Sequence, residues 1–133
     1  MLHCHNSGFI HHDLKLENIL VELNNQGVID SIKITDFGLT KKTSDMLLDV
    51  THFQGSIGYA APEMFIAGKP LNQLIDSWSL GIILVELLSG KNPFEAISVY
   101  DTKQNILNQE ISFEGSLWSG ISIEAKDLID QLL

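Results

Sequence analysis

Apolar residues change their spacing along the chain, and each change marks a new kind of element. "ILVEL" (19–23) and "IKI" (32–34) are short runs of Ile, Val and Leu, the residues that suit a pleated surface. "NNQG" (24–27) lies between them and supplies turn chemistry through Asn and Gly, so a β-hairpin is predicted. The run Ile19-Leu20-Val21 reads as the start of a buried strand. Residues 38–58 mix Thr, Ser, Lys, Asp and Gly with no sustained period, which predicts a long loop, and long loops inside compact domains are usually functional.

From about Leu74 to Ser89 apolar side chains fall on nearly every side of a helix, the pattern of a buried central helix. Gly90 stands where helices favour a left-handed cap, and Pro93 blocks continuation. A weaker helix is expected over Val99 to Leu107. The closing segment "SIEAKDLIDQLL" repeats Ala125, Leu128, Ile129 and Leu132 at helical spacing. Ser122 can cap its start, and Glu124 suits the positive end of its dipole. No internal repeat or low-complexity tract interrupts the order. Two strands followed by helices predict an α+β fold rich in helix.

Composition narrows the class. The chain has 133 residues, at most one domain of ordinary size, and its 44% hydrophobic content suffices for a core. Eight basic against seventeen acidic residues give a formal charge of -9. That argues against nucleic acid or an anionic membrane as a partner, since phosphate surfaces need clustered cations, and it suits a basic peptide or a metal-bound nucleotide. All eight basic residues are lysines. Cys4 is the only cysteine, so no intrachain disulfide forms and a reducing compartment is the natural home. Residues 1–9 lack the blocks of a signal peptide, and the aliphatic run Leu80–Val85 is far short of the roughly 18 residues of a membrane helix. A soluble, cytoplasmic chain is expected.

The chemistry concentrates in "HHDLKLENIL" (11–20), where polar residues crowd the mouth of a strand and must be solvated, paired or used. Taken alone, ten such residues are a polar turn. Read in order, however, the chain offers His11-x-Asp13-Leu14-x-x-x-Asn18, then Asp36-Phe37-Gly38, then Ala61-Pro62-Glu63. This series resembles the catalytic loop (11–18), metal-binding turn (36–38) and activation segment (36–63) of eukaryotic protein kinases. "DSWSLG" (76–81) and "GKNPF" (90–94) resemble the start and exit of the family's central helix, here about 74–89. The resemblance runs from Met1 to Leu133.

What the resemblance implies is specific. Asp13 is matched to the carboxylate that orients a substrate hydroxyl, and Lys15 to a cation beside the transferring phosphate of ATP. Asn18 and Asp36 are matched to ligands of Mg²⁺, which prefers hard oxygen donors. Gly38 is expected to let the backbone turn sharply after Asp36. Leu20 is matched to a position under the adenine ring. His11 and Phe37 are matched to a stacked internal spine, Asp76 to a support for the loop backbone, and Glu63 to a buried ion-pair partner. Lys15, with Ser56 in "GSIGYAAPE", points to the serine/threonine class and therefore to protein substrates bearing Ser or Thr. The ending "LWSGISIEAKDLIDQLL" is most similar to the calcium/calmodulin-dependent group.

Blander readings stand beside these. Asp13, Asn18 and Asp36 are also ordinary cap and turn residues. "HCH" (3–5) with His11 and His12 offers zinc donors, but in an arrangement poor for a tetrahedral site. Trp78 and Trp118 read as core aromatics. Residues 1–133 contain no Gly-rich phosphate loop, strand lysine or helix glutamate of the kinase pattern. About half a kinase domain is therefore expected: the mainly helical C-terminal lobe with its hairpin, the N-terminal lobe absent, and inactive alone. A complementing N-terminal lobe or a regulatory protein is the partner this implies. The alternative is a non-catalytic, pseudokinase-like module that binds a partner. His12 stands where most such kinases carry arginine, and Leu16 where many carry proline.

Overall fold

The computed structural model describes residues 1–45 and 53–133. A short helix α1 (Leu2–Asn6) leads through a turn at Ser7-Gly8 into β1 (Phe9–Ile10). Two strands, β2 (Ile19–Leu23) and β3 (Ile29–Ile34), form an antiparallel hairpin in which Ile19 faces Ile34 and Val21 faces Ile32. Its turn is built on Asn24, whose Oδ1 accepts the N–H groups of Gln26 and Val28 at 2.9 and 3.1 Å. A two-residue strand β4 (Lys41–Lys42) returns to pair antiparallel with β1. Three helices follow: α2 (Leu74–Ser89), α3 (Val99–Asn108) and α4 (Ile123–Leu132). The result is an α+β chain with two small antiparallel sheets.

Helix α2 organises the core. Ile75 joins Ile10, Ala61 and Leu71; Ile82 joins Phe94 and Ile106; Val85 joins Trp118 and Ile129. Each such aliphatic side chain removed from water contributes about 1.5–3 kcal/mol. Trp78 stacks on Phe94 with centroids 5.9 Å apart, and Trp118 meets Phe113 edge-on at 5.0 Å. Helix α4 packs on α2 at Gly81, where a Cβ would lie 2.7 Å from Leu133 Cδ2. Gly90 ends α2 at φ 79°, its N–H donating to Glu86 at 2.8 Å. Ser98 and Ser122 cap α3 and α4 by accepting from the N–H groups of Asp101 and Ala125.

The packing corrects four sequence expectations. The β2–β3 hairpin is not buried: Leu20 is 55% and Ile32 65% exposed, because among the described residues its two strands pair only with each other. Helix α2 is not covered all round, since Leu74 and Leu87 face solvent. On α4 only Ile129 is fully buried, while Leu128 is 49% exposed, so the helix lays a narrow edge on α2. Among the described residues of 38–58 the loop is interrupted by β4 and runs into the single-turn segment Ile57–Tyr59, both too short to show a period.

Candidate active site

The loop His11–Asn18 is fixed from beneath by α2. Asp76, in the first turn of that helix, accepts the backbone N–H of His11 on Oδ2 and that of His12 on Oδ1, both at 2.9 Å. His12 consequently sits at φ 73°, an unusual conformation for a non-glycine residue and one that needs such support. The His11 ring donates through Nε2 to the Thr35 carbonyl at 3.0 Å and accepts the Asp13 N–H on Nδ1 at 3.4 Å. It packs against Phe37 with centroids 4.8 Å apart, although Phe37 is itself half exposed.

Asp13, Lys15 and Ser56 close into a triangle. Oδ1 of Asp13 accepts the Ser56 N–H at 2.8 Å, the Lys15 ammonium donates to Ser56 Oγ at 2.9 Å, and Nζ lies 3.4 Å from Asp13 Oδ2. Partial burial pushes the Asp13 carboxyl up, but the Ser56 hydroxyl and N–H and the Lys15 ammonium outweigh it and hold the group below its ordinary value. Gly55 makes the approach possible. At φ 110° it adopts a backbone other residues avoid, and a Cβ there would lie 3.1 Å from the His12 carbonyl oxygen.

Asn18 and Asp36 flank the open end of the hairpin. The Thr35 N–H donates to the Asn18 carbonyl at 2.9 Å, which ties the residue before Asp36 to the end of the loop. Asn18 is buried, and its Nδ2 donates to the Asp13 carbonyl at 2.9 Å. Asp36 is exposed, with Oδ1 accepting the Gly38 N–H at 3.3 Å. Oδ1 of Asn18 and Oδ2 of Asp36 have no hydrogen-bond partner among the described residues. An amide oxygen and a carboxylate oxygen are the hard donors that Mg²⁺ takes, so this pair fits that ion. The sharp turn falls on Asp36 itself, at φ 60°, and not on Gly38 as the sequence suggested. Gly38 matters for space: a Cβ would sit 3.1 Å from Asp36 Oδ1.

Other expected residues are more dispersed. Leu20 lies on the exposed hairpin. Glu63 is half-buried and makes no ion pair among the described residues. Its neighbours Ser77, Trp78 and Gln131 line an open cleft of about 310 Å³, so no side chain closes over it. Of the hydroxyls between residues 39 and 55 that phosphorylation could reach, Thr43 and Ser44 donate to the Gly8 carbonyl and to Asp45, and Thr51 lies outside the described residues. Of the zinc candidates, His5 is turned to Asp76 and His11 to Thr35.

Three features were not foreseen from sequence. His5 Nε2 reaches Asp76 Oδ2 at 2.8 Å across 71 positions. Tyr59 donates its hydroxyl to Glu86 at 2.7 Å; burial and the Glu86 carboxylate push the phenol well above its ordinary value. His12 is buried, with Nδ1 unpartnered among the described residues. Burial, then the Lys41 ammonium, lowers its imidazole below the ordinary value against the opposing pull of Asp76 and Asp13. Each depends on contacts between distant segments and leaves no local pattern. Only the "HCH" tripeptide gave a signal, and it pointed to a metal.

The profile of the family described as "Protein kinase domain" matches residues 1–133. The chain belongs to the protein kinase family. It is similar to a probable serine/threonine-protein kinase, fhkE, of Dictyostelium discoideum, at 40% identity over 136 residues covering 100% of the chain and 19% of that relative. A calcium and calcium/calmodulin-dependent serine/threonine-protein kinase of Lilium longiflorum is 43% identical over 129 residues, covering 97% of the chain and 24% of the relative. Mouse Aurora kinase C is 37% identical over 133 residues, covering 100% of the chain and 44% of the relative. This kinase chain thus spans less than half the length of each of these relatives. No helix among the described residues is long and apolar enough to cross a membrane.

Proposed function

We propose that these residues form the large-lobe segment of a serine/threonine protein kinase, which transfers the γ-phosphoryl group of ATP to Ser or Thr hydroxyls of proteins. The observation that carries this reading is the triangle of Asp13, Lys15 and Ser56. It holds an ionised carboxylate and an ammonium side by side on a loop braced from the central helix.

Each residue has a distinct task. Asp13 accepts and orients the substrate hydroxyl, and its lowered pKa keeps it ionised at neutral pH, as an acceptor must be. Lys15 sets a positive charge beside the transferring group, where preorganised charge lowers the barrier most. Ser56 joins the two and fixes their spacing. Asn18 and Asp36 would hold Mg²⁺ through the oxygens their own contacts leave open, and the ion would supply neutralisation of phosphate charge. Leu20 offers an apolar surface to the adenine ring. The apolar exposure of the whole hairpin supports a covering small lobe above the nucleotide, without which residues 1–133 transfer phosphate poorly.

The test is labelled-phosphate transfer from ATP to serine, threonine and tyrosine peptides by the full-length protein with Mg²⁺. Transfer to serine or threonine at roughly 1–100 s⁻¹ is expected. Binding of Mg-ATP without transfer would favour a non-catalytic partner-binding module instead.

A further inference from the structure

The turn beside Ser56 is held from the exit of α2. The single-turn segment Ile57–Tyr59 is closed by the Tyr59 N–H, which donates to the Ser56 carbonyl at 3.1 Å, and Ser79 of α2 donates its hydroxyl to the Tyr59 carbonyl at 2.8 Å. The Gly58 carbonyl, in the middle of the turn, accepts Nδ2 of Asn92 at 3.0 Å. Asn92 is buried, and its Oδ1 accepts the Phe94 N–H at 3.0 Å. These two partners fix which way the amide faces, since a carbonyl takes only a donor and an N–H only an acceptor. The base of the contact is itself held: Phe94 is buried, and its carbonyl accepts Nδ2 of Asn105 on α3 at 3.0 Å. Gly58 matches the approach. A Cβ there would lie 3.2 Å from Asn92 Nδ2, tighter than ordinary contact. The glycine therefore answers to the neighbouring amide and not to a positive φ, which it does not have.

We propose that Asn92 is a positioning residue for phosphoryl transfer: its amide seats the Ile57–Tyr59 turn, and with it Ser56 against Asp13 and Lys15. The inference rests on the function proposed above and adds a residue to that site. Ser56 is joined to the turn by the bond from the Tyr59 N–H, so a shift of Gly58 carries Ser56 with it. Ser56 has little slack to absorb that shift. Its N–H meets Asp13 Oδ1 at 2.8 Å, and its hydroxyl takes the Lys15 ammonium at 2.9 Å. Hydrogen bonds weaken steeply as their geometry departs from such values. A displaced Ser56 therefore lets the carboxylate and the ammonium drift from the spacing that transfer needs, and misplacement by about 1 Å can cost on the order of 10²-fold in rate. Asn18 and Asp36 take their places from the hairpin instead, through the Thr35–Asn18 bond. The Asn92 amide thus bears on the hydroxyl side of the site and leaves the metal side alone.

The experiment compares Asn92→Asp, Asn92→Ala and Gly58→Ala in the full-length protein. Asn92→Asp keeps the size and still accepts the Phe94 N–H, but it sets an oxygen against the Gly58 carbonyl. Readouts are kcat with a serine peptide, KM for ATP, and amide hydrogen exchange of residues 55–60. In Asn92→Asp, kcat should fall about tenfold, the rate equivalent of ~1.4 kcal/mol. KM for ATP should stay within about twofold, because the nucleotide and metal side is untouched. Exchange of 55–60 should rise. Gly58→Ala pushes the amide away without altering it. It should lower kcat in the parent and lower it no further in the Asn92→Ala background, since residues in contact are not additive. If Asn92→Asp does not fold, this Gly58→Ala comparison decides. Parental kcat in Asn92→Asp would overturn the proposal whatever the exchange, since the amide would then only fill space. So would a rise in KM for ATP equal to the fall in kcat, or additive losses from Gly58→Ala and Asn92→Ala. Asp13→Asn serves as the control for the functional reading: parental transfer in that variant would refute the role of Asp13, while exchange of 55–60 in Asn92→Asp would still decide whether Asn92 seats the turn.

Discussion

His12 and Asp76 are joined across 64 positions by a 2.9 Å hydrogen bond from the backbone N–H of one to the buried carboxylate of the other. The bond ties the loop to the central helix, and it leaves the His12 side chain buried beside Lys41 with its Nδ1 unpartnered among the described residues. Stability and regulation both follow from that placement.

Acid should destabilise the fold partly through His12. Its folded pKa lies below the ordinary 6.5, so the unfolded chain takes up the proton first. The stability contributed by neutral His12 is complete above pH 6.5 and is lost as pH falls from 6.5 through the lower folded value. The difference between parent and His12→Gln in denaturant midpoint, followed from pH 7.5 to 5, should shrink as the pH falls. A difference that does not change with pH would contradict the assignment.

Asp76→Asn should lower stability by about 2–4 kcal/mol, since an amide nitrogen replaces one oxygen that accepts a buried N–H and leaves donor facing donor. Denaturant unfolding measures the loss. A change below about 0.5 kcal/mol, the scale of a neutral surface substitution, would mean that the loop is held by other contacts.

In residues 1–133 expressed alone, without a covering lobe, the exposed apolar area on the hairpin should behave as a surface. Ile29→Lys and Ile32→Lys are expected to change stability by no more than about 0.5 kcal/mol while lowering the binding of a hydrophobic dye. A loss of several kcal/mol would mean that this face is covered in solution.

Activation should not depend on phosphorylation between residues 39 and 55. Arginine grips phosphate through a permanently charged fork, whereas His12 is shorter, and burial and Lys41 disfavour its charged form. Phosphatase treatment of the full-length protein should leave its transfer rate unchanged, and a His12→Arg variant should gain sensitivity. A large drop in the His12 protein would refute this.

The order and type of the main elements were legible in sequence because each rests on a local signal: the Asn24 turn, the Gly90 cap, and the apolar run of α2. The candidate site was legible as a series of short motifs, Asp13, Asn18 and Asp36 among them. Partners separated by tens of residues were not. The burial that the run Ile19–Val21 suggests is not found, because composition does not reveal whether another element covers a strand. Glycine usually takes positive φ, which points to Gly38 for the turn, yet the residue in that conformation is Asp36, whose carboxylate accepts the Gly38 N–H. The contact of His5 with Asp76 spans 71 positions and is visible only once α1 and α2 are packed.

The division of labour between Asp13 and Asp36 is tested most directly by measuring Mg-ATP affinity and serine-peptide phosphorylation together in Asp13→Asn and Asp36→Asn variants of the full-length protein. Asp13→Asn should abolish transfer and keep the parental affinity within about twofold, since in the proposed reading Asp13 meets the hydroxyl and not the metal. Asp36→Asn should weaken Mg-ATP binding as well, because a charged oxygen ligand is lost. Equal loss of affinity in the two variants, or transfer surviving in Asp13→Asn, would contradict the account.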